Sequence, residues 1–401
     1  MAGRWPALTV AGVGEMRIEV MRRAVLCCTI AMTVAACSDD LPTSPSALSL
    51  VVTGRTERGS TVHVAIKRGT DTTLIAPASI TLTPLDAGTV LGNGDVLLIK
   101  AGAVTIDAST TNGGASAVVN VAVPPTILFD GLAAGNRDIY RVSLDGGELT
   151  RLTTNVADDG HPTGTGTNVV FNSFRDGNSE LYTVSTTGGT ERRLTTSTAN
   201  ETQAVLSPDG KRIAYSSNVS GITKVWLGSI DFPGATPLTG AAALSGAAFG
   251  SAGTVEATPS WAPASDRLTL MTTATPTGGA GLFTAAATAG TSPAIVAGSG
   301  TQIVEVEPSW SFDGARISYA AATAGTTEIY VRDIGSATAI KLTTLGGSNG
   351  QPTFLSDGRI VFTSFSGGTS SLRWIDPAVP SVQHTIATPG LSSEHAAPIR
   401  P

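Results

Sequence analysis

One polar position recurs through the second part of the chain and is the main candidate for binding chemistry. It precedes each copy of a short strand, and its members are Asp159, Glu201, Glu256, Glu305, Asn349 and Glu394. Acidic side chains gathered at one mouth of a closed array would raise one another's pKa or recruit a cation. They would then form an acidic rim for a cationic loop, a peptide or a metal ion. Alternatively, each carboxylate accepts backbone N–H bonds in a loop between repeats and only shapes a turn.

Two histidines lie next to members of this polar set. His161 follows Asp159 by two residues, and His395 follows Glu394 directly. If the two ends of the array meet, these four side chains could form a metal site of mixed nitrogen and oxygen ligands. Two histidines without a fixed spacing do not define a metal motif. The sequence therefore predicts neither a metal nor another cofactor, with His161 and His395 as the residues to inspect.

The sequence contains no recognisable metalloprotease or nucleotide-binding motif. It has no H-E-x-x-H and no Walker loop. We therefore expect no hydrolytic chemistry, and a lyase-like site that follows no motif stays open. Trp261 and Trp310 are predicted to pack on inner strands rather than to form a carbohydrate platform. His63 is predicted to be an ordinary strand residue.

The elements that must position these residues are short strands in a repeated frame. In the best-preserved copy, the turn Ser207-Pro208-Asp209-Gly210 precedes the strand Ile213-Ala214-Tyr215. Proline sets φ at the second turn position, aspartate bonds its own backbone, and glycine adopts the left-handed conformation. The strand recurs at a period of roughly 40–50 residues, which indicates a propeller or solenoid. Its copies begin at Ile127, Val169, Ile213, Leu268, Ile317 and Ile360.

Each copy predicts four strands, which is the content of a propeller blade. A second strand with an aromatic residue follows the first, and a further short strand precedes each turn. Most copies then close with a Leu-Thr pair: Leu152-Thr153, Leu194-Thr195, Leu238-Thr239 and Leu342-Thr343. A long segment rich in Gly, Ala and Ser, Gly240 to Val255, precedes the fourth copy. It is either a mobile loop over one face or a connection of extra length without a role.

The repeated frame resembles a known family. The order E-x-x-P-x-W-S-P-D-G, an I-A-F-like strand, an I-Y-V-like strand and a closing L-T is that of TolB-type six-bladed propellers with PD40, or WD40-like, repeats. The resemblance covers about residues 127–401 and implies a propeller over 124–401. It does not extend to TolB's N-terminal α/β domain, in whose place this chain has another module.

The register of the copies predicts how the ring closes. The first copy starts at Ile127 without an inner strand before it, and the tail Glu394 to Arg400 has the pattern of that missing strand. We expect the tail to complete the first blade, which removes two free sheet edges. A dangling tail is the alternative.

The N-terminal region has the features of an export signal. Arg22 and Arg23 precede an apolar run, Ala24 to Ala36, that is too short to span a bilayer as a helix. The run ends in Val34-Ala35-Ala36-Cys37, which resembles the lipobox of bacterial lipoproteins. The resemblance implies a signal peptide over 1–36, starting at Met1, Met16 or Met21, and acylation of Cys37. A plain secretory signal with a chance cysteine is the alternative.

Two further segments separate the signal from the repeats. Residues 37–47 are rich in proline and serine and are predicted to form an extended tether. Residues 48–123 contain about five alternating strands divided by turn residues, which predicts a small β-sandwich. The ending AGAVTIDAST, followed by AVVNVAV, resembles bacterial Ig-like domains, which implies a spacer. Pro124 and Pro125 end it.

The net charge and the lipobox resemblance indicate which partners and which location to expect. The formal charge of −6, with few charged residues (14%), does not favour nucleic-acid binding. The fold class is therefore predicted as all-β: an Ig-like sandwich followed by a six-bladed propeller closed by the C-terminal strand. The lipobox resemblance implies membrane attachment, and Ser38 after the cysteine favours the outer membrane, with periplasmic or surface exposure left open. We expect a monomer.

The sequence thus predicts a lipid-anchored, non-catalytic scaffold of the cell envelope. Its propeller would dock an envelope protein or glycan. One alternative is an enzyme that processes a polysaccharide or peptide at the channel mouth. Another is a purely structural part of an envelope assembly.

Overall fold

The regular secondary structure of the described residues is almost entirely β-strand. The computed structural model describes residues 32–34, 47–232, 238–246, 253–275, 279–300, 304–323, 325–344 and 347–400. In these ranges the helical structure is one short 3₁₀ helix, Leu85–Ala87, and no helix is long and apolar enough to cross a membrane. The predicted signal and tether lie outside the described residues, except for Met32–Val34 and Ala47.

The N-terminal unit is a two-sheet β-sandwich. One sheet has the order β1-β2-β3-β7-β6 with β4 beside β3, and the other has the order β5-β8-β9. The strands are β1 (Met32–Val34), β2 (Leu48–Thr53), β3 (Thr61–Arg68), β4 (Leu74–Ile75), β5 (Ser79–Thr83), β6 (Gly88–Gly92), β7 (Asp95–Leu98), β8 (Gly102–Thr110) and β9 (Gly113–Val121).

Alternation along these strands produces one shared core. In β8, Val104, Ile106 and Ala108 are buried while the residues between them are more exposed. These side chains pack with Leu50 and Val62 of the opposite sheet in one apolar cluster. Side chains of period two from both sheets therefore fill the interior of the sandwich.

The rest of the chain forms a six-bladed β-propeller. Its strands are β10 (Thr126–Ala133), β11 (Asn136–Ser143), β12 (Thr150–Arg151), β13 (Asp159–Thr165), β14 (Asn168–Ser173), β15 (Glu180–Ser185), β16 (Arg192–Arg193), β17 (Glu201–Leu206), β18 (Arg212–Ser217), β19 (Lys224–Ile230), β20 (Leu238–Ala243), β21 (Glu256–Trp261), β22 (Arg267–Thr272), β23 (Gly281–Ala286), β24 (Ala294–Ile295), β25 (Val304–Trp310), β26 (Arg316–Thr323), β27 (Thr326–Asp333), β28 (Ala339–Lys341), β29 (Ser348–Phe354), β30 (Ile360–Ser366), β31 (Thr369–Ile375), β32 (Gln383–Thr385) and β33 (Ser392–Arg400).

Four blades are separate four-stranded antiparallel sheets: β17–β20, β21–β24, β25–β28 and β29–β32. The other two blades share one eight-stranded sheet. The turn before the second strand is built as its composition predicts. Ser207 Oγ donates to Asp209 Oδ1 (2.5 Å), which also accepts from Lys211 N (3.2 Å). Gly210 has a φ of 67°, and the same bonds recur around Asp313.

The C-terminal strand closes the ring, as the register predicted. β33 pairs antiparallel with β10 from Ile127↔Pro398 to Leu132↔Ser392, so it is the inner strand of the first blade. It also pairs parallel with β13 at Gly164↔Ile399 and Thr165↔Arg400. Ala396 packs in the core cluster that joins the first and last blades. Both ends of the propeller therefore belong to one blade.

One predicted repeat position was wrong. In other blades, the backbone N–H of the leucine in the Leu-Thr pair donates to the third strand, as Leu152 N does to Ile139 O (2.7 Å). In the third blade this bond comes from Leu244 N to Val225 O (2.8 Å). Leu244-Ser245 is therefore the equivalent pair, and Leu238-Thr239 begins the longer outer strand β20. Part of the Gly240–Val255 lead-in is thus a strand, and residues 247–252 lie outside the described residues.

Candidate functional site

The inner strands of all six blades share a β-bulge with a left-handed residue. The register shifts in each pairing of inner and second strands. A non-glycine residue with φ near +50° lies at each shift, a conformation that L-residues adopt rarely. These residues, here called the bulge ring, are His161, Gln203, Thr258, Glu307, Gln351 and His395.

The bulge ring lines a cavity in the central channel. The cavity has a volume of about 170 Å³, and inner strands of all six blades contribute to its wall. Trp261 and Arg400 also line it. Trp261 is buried and donates from Nε1 to Val205 O (3.0 Å), so it packs against the inner strand of the neighbouring blade. The site combines imidazole, amide, carboxyl and hydroxyl groups in a concave space, as ligand sites commonly do.

A belt of hydrogen bonds holds the ring in place. Side-chain oxygens accept from the backbone N–H of the next ring residue, which offsets the irregular backbone of the bulge. The bonds are Gln203 Oε1 with Thr258 N (3.2 Å), Glu307 Oε2 with Gln351 N (2.6 Å), Gln351 Oε1 with His395 N (3.0 Å) and Asp130 Oδ2 with His161 N (3.0 Å). These bonds link four of the six pairs of neighbouring blades around the channel.

The predicted polar set lies outside this cavity. Five of its members precede the bulge ring by two residues and are buried: Asp159, Glu201, Glu256, Glu305 and Asn349. Each is bonded inside the propeller: Asp159 to Arg175 (3.0 Å), Glu201 to Ser197 (2.6 Å) and Ser217 (2.9 Å), Glu256 to Lys224 (3.0 Å), Glu305 to Arg332 (2.9 Å), and Asn349 to Glu328 (3.0 Å). The geometry favours a structural role over an acidic rim, but these bonds join side chains rather than the backbone N–H groups of the structural alternative.

Glu394 does not occupy the equivalent position in the first blade. Ser393, which is fully buried, precedes His395 by two residues as Asp159 precedes His161. Glu394 is shifted by one residue, and its Oε1 accepts from Arg137 Nη2 (3.0 Å) and Ser370 Oγ (3.0 Å). The bulge of β33 is equivalent to the bulges of the other inner strands. The error arose because an acidic residue type, Glu394, was matched to the repeat position that Ser393 occupies.

Burial perturbs two carboxyl groups of the predicted set. Burial raises the pKa of Asp159 despite its bonds to Ser173 and Arg175. Burial also raises the pKa of Glu201, and the neighbouring Glu180 carboxylate adds to this effect. Glu201 Oε2 and Glu180 Oε2 have no hydrogen-bond partner in the described part of the chain.

The structure brings His161 and His395 together, but with a different carboxylate than predicted. Their ring centroids are 3.7 Å apart, and His395 Nδ1 lies 2.7 Å from Asp130 Oδ2. Asp130 is fully buried and also pairs with the Arg137 guanidinium. Burial lowers the pKa of His161 to about 3, so its imidazole is neutral. Asp159 and Glu394 do not join this group, which replaces the four-residue cluster considered from the sequence.

Asp130 belongs to a second repeated position that sequence reasoning missed. It follows the aromatic residue of the second strand, and in four blades the residue there is polar and interacts with the ring residue of its own blade. The pairs are Asp130 with His395, Asn172 with His161, Ser216 with Gln203, and Thr363 with Gln351. A polar residue directly after the Phe or Tyr in four of the six copies was the available signal.

Fold and site together define a class: a closed six-bladed β-propeller with a polar central cavity, joined to a β-sandwich. Residues 126–246 match the family model of the TolB beta propeller domain. The propeller is therefore TolB-like. No curated protein matches the sequence.

Solved structures show the same fold. TolB from Acinetobacter baumannii has 13% identity and a TM-score of 0.57, with 88% of this chain and 82% of that chain covered. A putative TolB from Agrobacterium tumefaciens has 14% identity and a TM-score of 0.51, covering 66% and 88%. A chain of a nidogen/laminin complex has 12% identity and a TM-score of 0.53, covering 68% and 97%. At such identities the likeness concerns the fold.

Proposed function

We propose that this protein is a lipid-anchored binding scaffold of the cell envelope, attached to the outer membrane. Acylated Cys37 anchors it, residues 38–47 act as a tether, and the sandwich is an Ig-like spacer. The propeller then presents its channel to an envelope protein or glycan. The TolB-like propeller supports the scaffold role, and the lipobox-like sequence supports the anchor.

The observation that carries the binding role is the cavity within the bulge ring. Its volume of about 170 Å³ is below the roughly 300–1,000 Å³ of ligand pockets for drug-sized molecules. A cavity of this size accepts one side chain, a chain end or a single sugar, and the rest of the partner contacts the surrounding loops. Its polar lining is held by the hydrogen-bond belt, so little ordering is needed on binding.

The test is capture of a partner from detergent-solubilised envelope by the purified full chain. Ala397 lines the cavity, so Ala397→Arg fills it and should reduce capture by at least about tenfold, equal to 1.4 kcal/mol. Ile340→Arg is the matched control, because Ile340 is 62% exposed on the outer strand β28. Glu256 and Glu305 are unsuitable for substitution in this test. Both side chains are buried, so replacing them would alter the stability of the propeller.

Three results would count against the proposal. One is specific capture that Ala397→Arg leaves unchanged, and another is no specific capture at all. Turnover of an envelope polymer or peptide that Ala397→Arg abolishes and Ile340→Arg does not would establish the enzyme alternative. For the anchor, Cys37→Ser should move the protein from the detergent to the aqueous phase, and Cys27→Ser should not.

A further inference from the structure

We propose that the channel binds one divalent transition-metal ion of the zinc class through His161, His395 and Asp130. Each residue offers one ligand atom, and the three atoms lie within 4.8 Å of one another. His161 is on β13 and the other two are on β33 and β10, so ring closure assembles the site. Both histidines line the cavity, which provides a path for the ion.

The hydrogen-bond pattern around His395 indicates which of its ring nitrogens an ion would use. Gln351 Oε1 accepts from His395 N (3.0 Å) and Thr363 Oγ1 (2.6 Å), so its Nε2 is the donor toward His395 Nε2 (2.7 Å). The His395 imidazole then carries its hydrogen on Nδ1, directed at Asp130 Oδ2 (2.7 Å). An ion can replace that single hydrogen and join the two groups.

The distances fit after a small adjustment. Zinc bonds of about 2.0–2.1 Å place tetrahedral ligand atoms about 3.3 Å apart. The contact between His395 Nδ1 and Asp130 Oδ2 would lengthen from 2.7 Å. Because the rings are 3.7 Å apart and tilted by 35°, metal binding requires small side-chain rotations of the imidazoles.

The surroundings favour a cation and orient the ligands. Burial lowers the pKa of His395, but the negative charges of Asp130, Glu394 and Glu307 each raise it, which means that they favour a positive charge there. Arg137 pairs with Asp130 and Glu394. Among these residues negative charge is in excess. Asn172 interacts with the His161 ring, and its buried Oδ1 has no hydrogen-bond partner among the described residues. Such a group suits an outer-shell partner of a metal-bound histidine.

The ligand set also indicates the class of ion. Two imidazole nitrogens and one carboxylate oxygen suit zinc and related ions better than magnesium or calcium, which prefer oxygen ligands. The fourth position would face the cavity and take water or a group from the partner. The inference goes beyond the proposed scaffold role, because it concerns metal binding by the chain itself. Purified protein therefore tests it without any partner.

The experiment is a titration of the purified full chain with Co²⁺ and Zn²⁺ in competition with a chelating dye. Cys27, Cys28 and Cys37 are replaced by Ser in every variant so that thiols do not bind the metal. We expect one equivalent per chain and a tetrahedral Co²⁺ absorption band. His161→Gln and His395→Gln should each weaken binding by more than about tenfold, since loss of outer partners alone costs 10–100-fold. Glutamine already occupies this ring position in two blades.

His63→Gln is the matched control, because His63 forms an exposed pair with Asp95 (2.8 Å) in the sandwich. It should leave the affinity unchanged. Zn²⁺ should also raise the Tm of the parent protein in which only the three cysteines are replaced, and not that of His161→Gln. Histidine-selective NMR of the wild type provides a readout without substitution, and two of the four imidazoles should shift. The proposal is overturned by the absence of binding, or by binding that both ring variants retain.

Discussion

At the scale of single residues, neighbouring positions of one inner strand have opposite environments. Glu201 is buried among hydroxyl groups, whereas Gln203, two residues later, lines the cavity. Likewise, Glu305 is buried against Arg332, and Glu307 lines the cavity. The earlier position therefore makes bonds within the propeller, and the later position is available to a ligand.

The Glu201 carboxylate should be dispensable for stability at neutral pH. Burial raises its pKa, so its stability contribution is present below the unfolded value and is lost as pH rises through the folded value. In Glu201→Gln, the amide can donate to Glu180 without carrying a charge. We expect this variant to melt no lower than the wild type at pH 7.5, with the difference shrinking toward pH 4.5. Melting curves over this pH range are the measurement.

Glu305→Gln is the paired control and should have the opposite effect. Its carboxylate accepts from Arg332 Nη2 (2.9 Å), and both side chains are at least 95% buried. Breaking a buried ion pair costs about 3–5 kcal/mol, so this variant should melt clearly lower at pH 7.5. A comparable loss in Glu201→Gln would contradict the assignment of the two carboxylates to different roles.

At the scale of elements, the inner strand β33 is the most consequential piece of the propeller. It covers the edge of β10, contacts β13 and contributes His395 to the bulge ring. Its nine residues come from the end of the chain, while its blade partners begin at Thr126. The element therefore couples ring closure to assembly of the cavity.

Deleting residues 392–401 should lower the Tm by about 10 °C or more. The deletion removes five paired positions between β33 and β10; each hydrogen bond contributes about 1 kcal/mol, and 1 kcal/mol shifts the Tm by about 2–4 °C in chains of 150–250 residues. A synthetic peptide of residues 389–401 added in trans should restore part of the loss by strand addition. An unchanged melting curve would refute closure by this strand.

At the scale of the whole molecule, ion pairs attach the sandwich to the propeller. The loop after β2 supplies Arg55, Glu57 and Arg58. Glu57 pairs with Arg359 (2.9 Å), whose side chain is 2% exposed and lies over the Trp374 ring at 4.9 Å. The other pairs are Arg55 with Asp376 (2.7 Å) and Arg58 with Asp145 (2.5 Å). The sandwich thus contacts the first and last blades, beside the closure.

Glu57→Ala should loosen this attachment. It leaves the buried Arg359 guanidinium with Asp357 as its remaining carboxylate partner, a loss of about 1–3 kcal/mol. Denaturant unfolding should show this loss, and limited proteolysis should cleave faster near Pro124 and Pro125. Glu148→Ala is the control, because Glu148 is 52% exposed and 3.4 Å from Arg58, and such pairs contribute about 0–1 kcal/mol. Equal effects of both variants would argue against the buried pair as the main attachment.

Local sequence patterns were sufficient to predict the propeller architecture. Ser207-Pro208-Asp209-Gly210 encodes its turn through bonds within four residues, and its recurrence determined the number of blades and the closing strand. The cavity could not be obtained in this way. A bulge adds one residue to a strand and so changes which side chains face the channel, and no local signal in Gly160-His161-Pro162 marks it.

Only the tertiary structure decided which residues meet. Asp130 and His395 are 265 residues apart in the chain, and closure of the ring brings them together with His161. The Leu238-Thr239 misassignment also arose because a contact between separate strands was needed. The bond from Leu244 N to Val225 O, on the third strand, identifies Leu244-Ser245 as the equivalent pair. The sequence by itself determined the strands, turns and blade count, since these depend on nearby residues. The cavity lining, the His161–His395–Asp130 group and the attachment of the sandwich depend on contacts between distant segments.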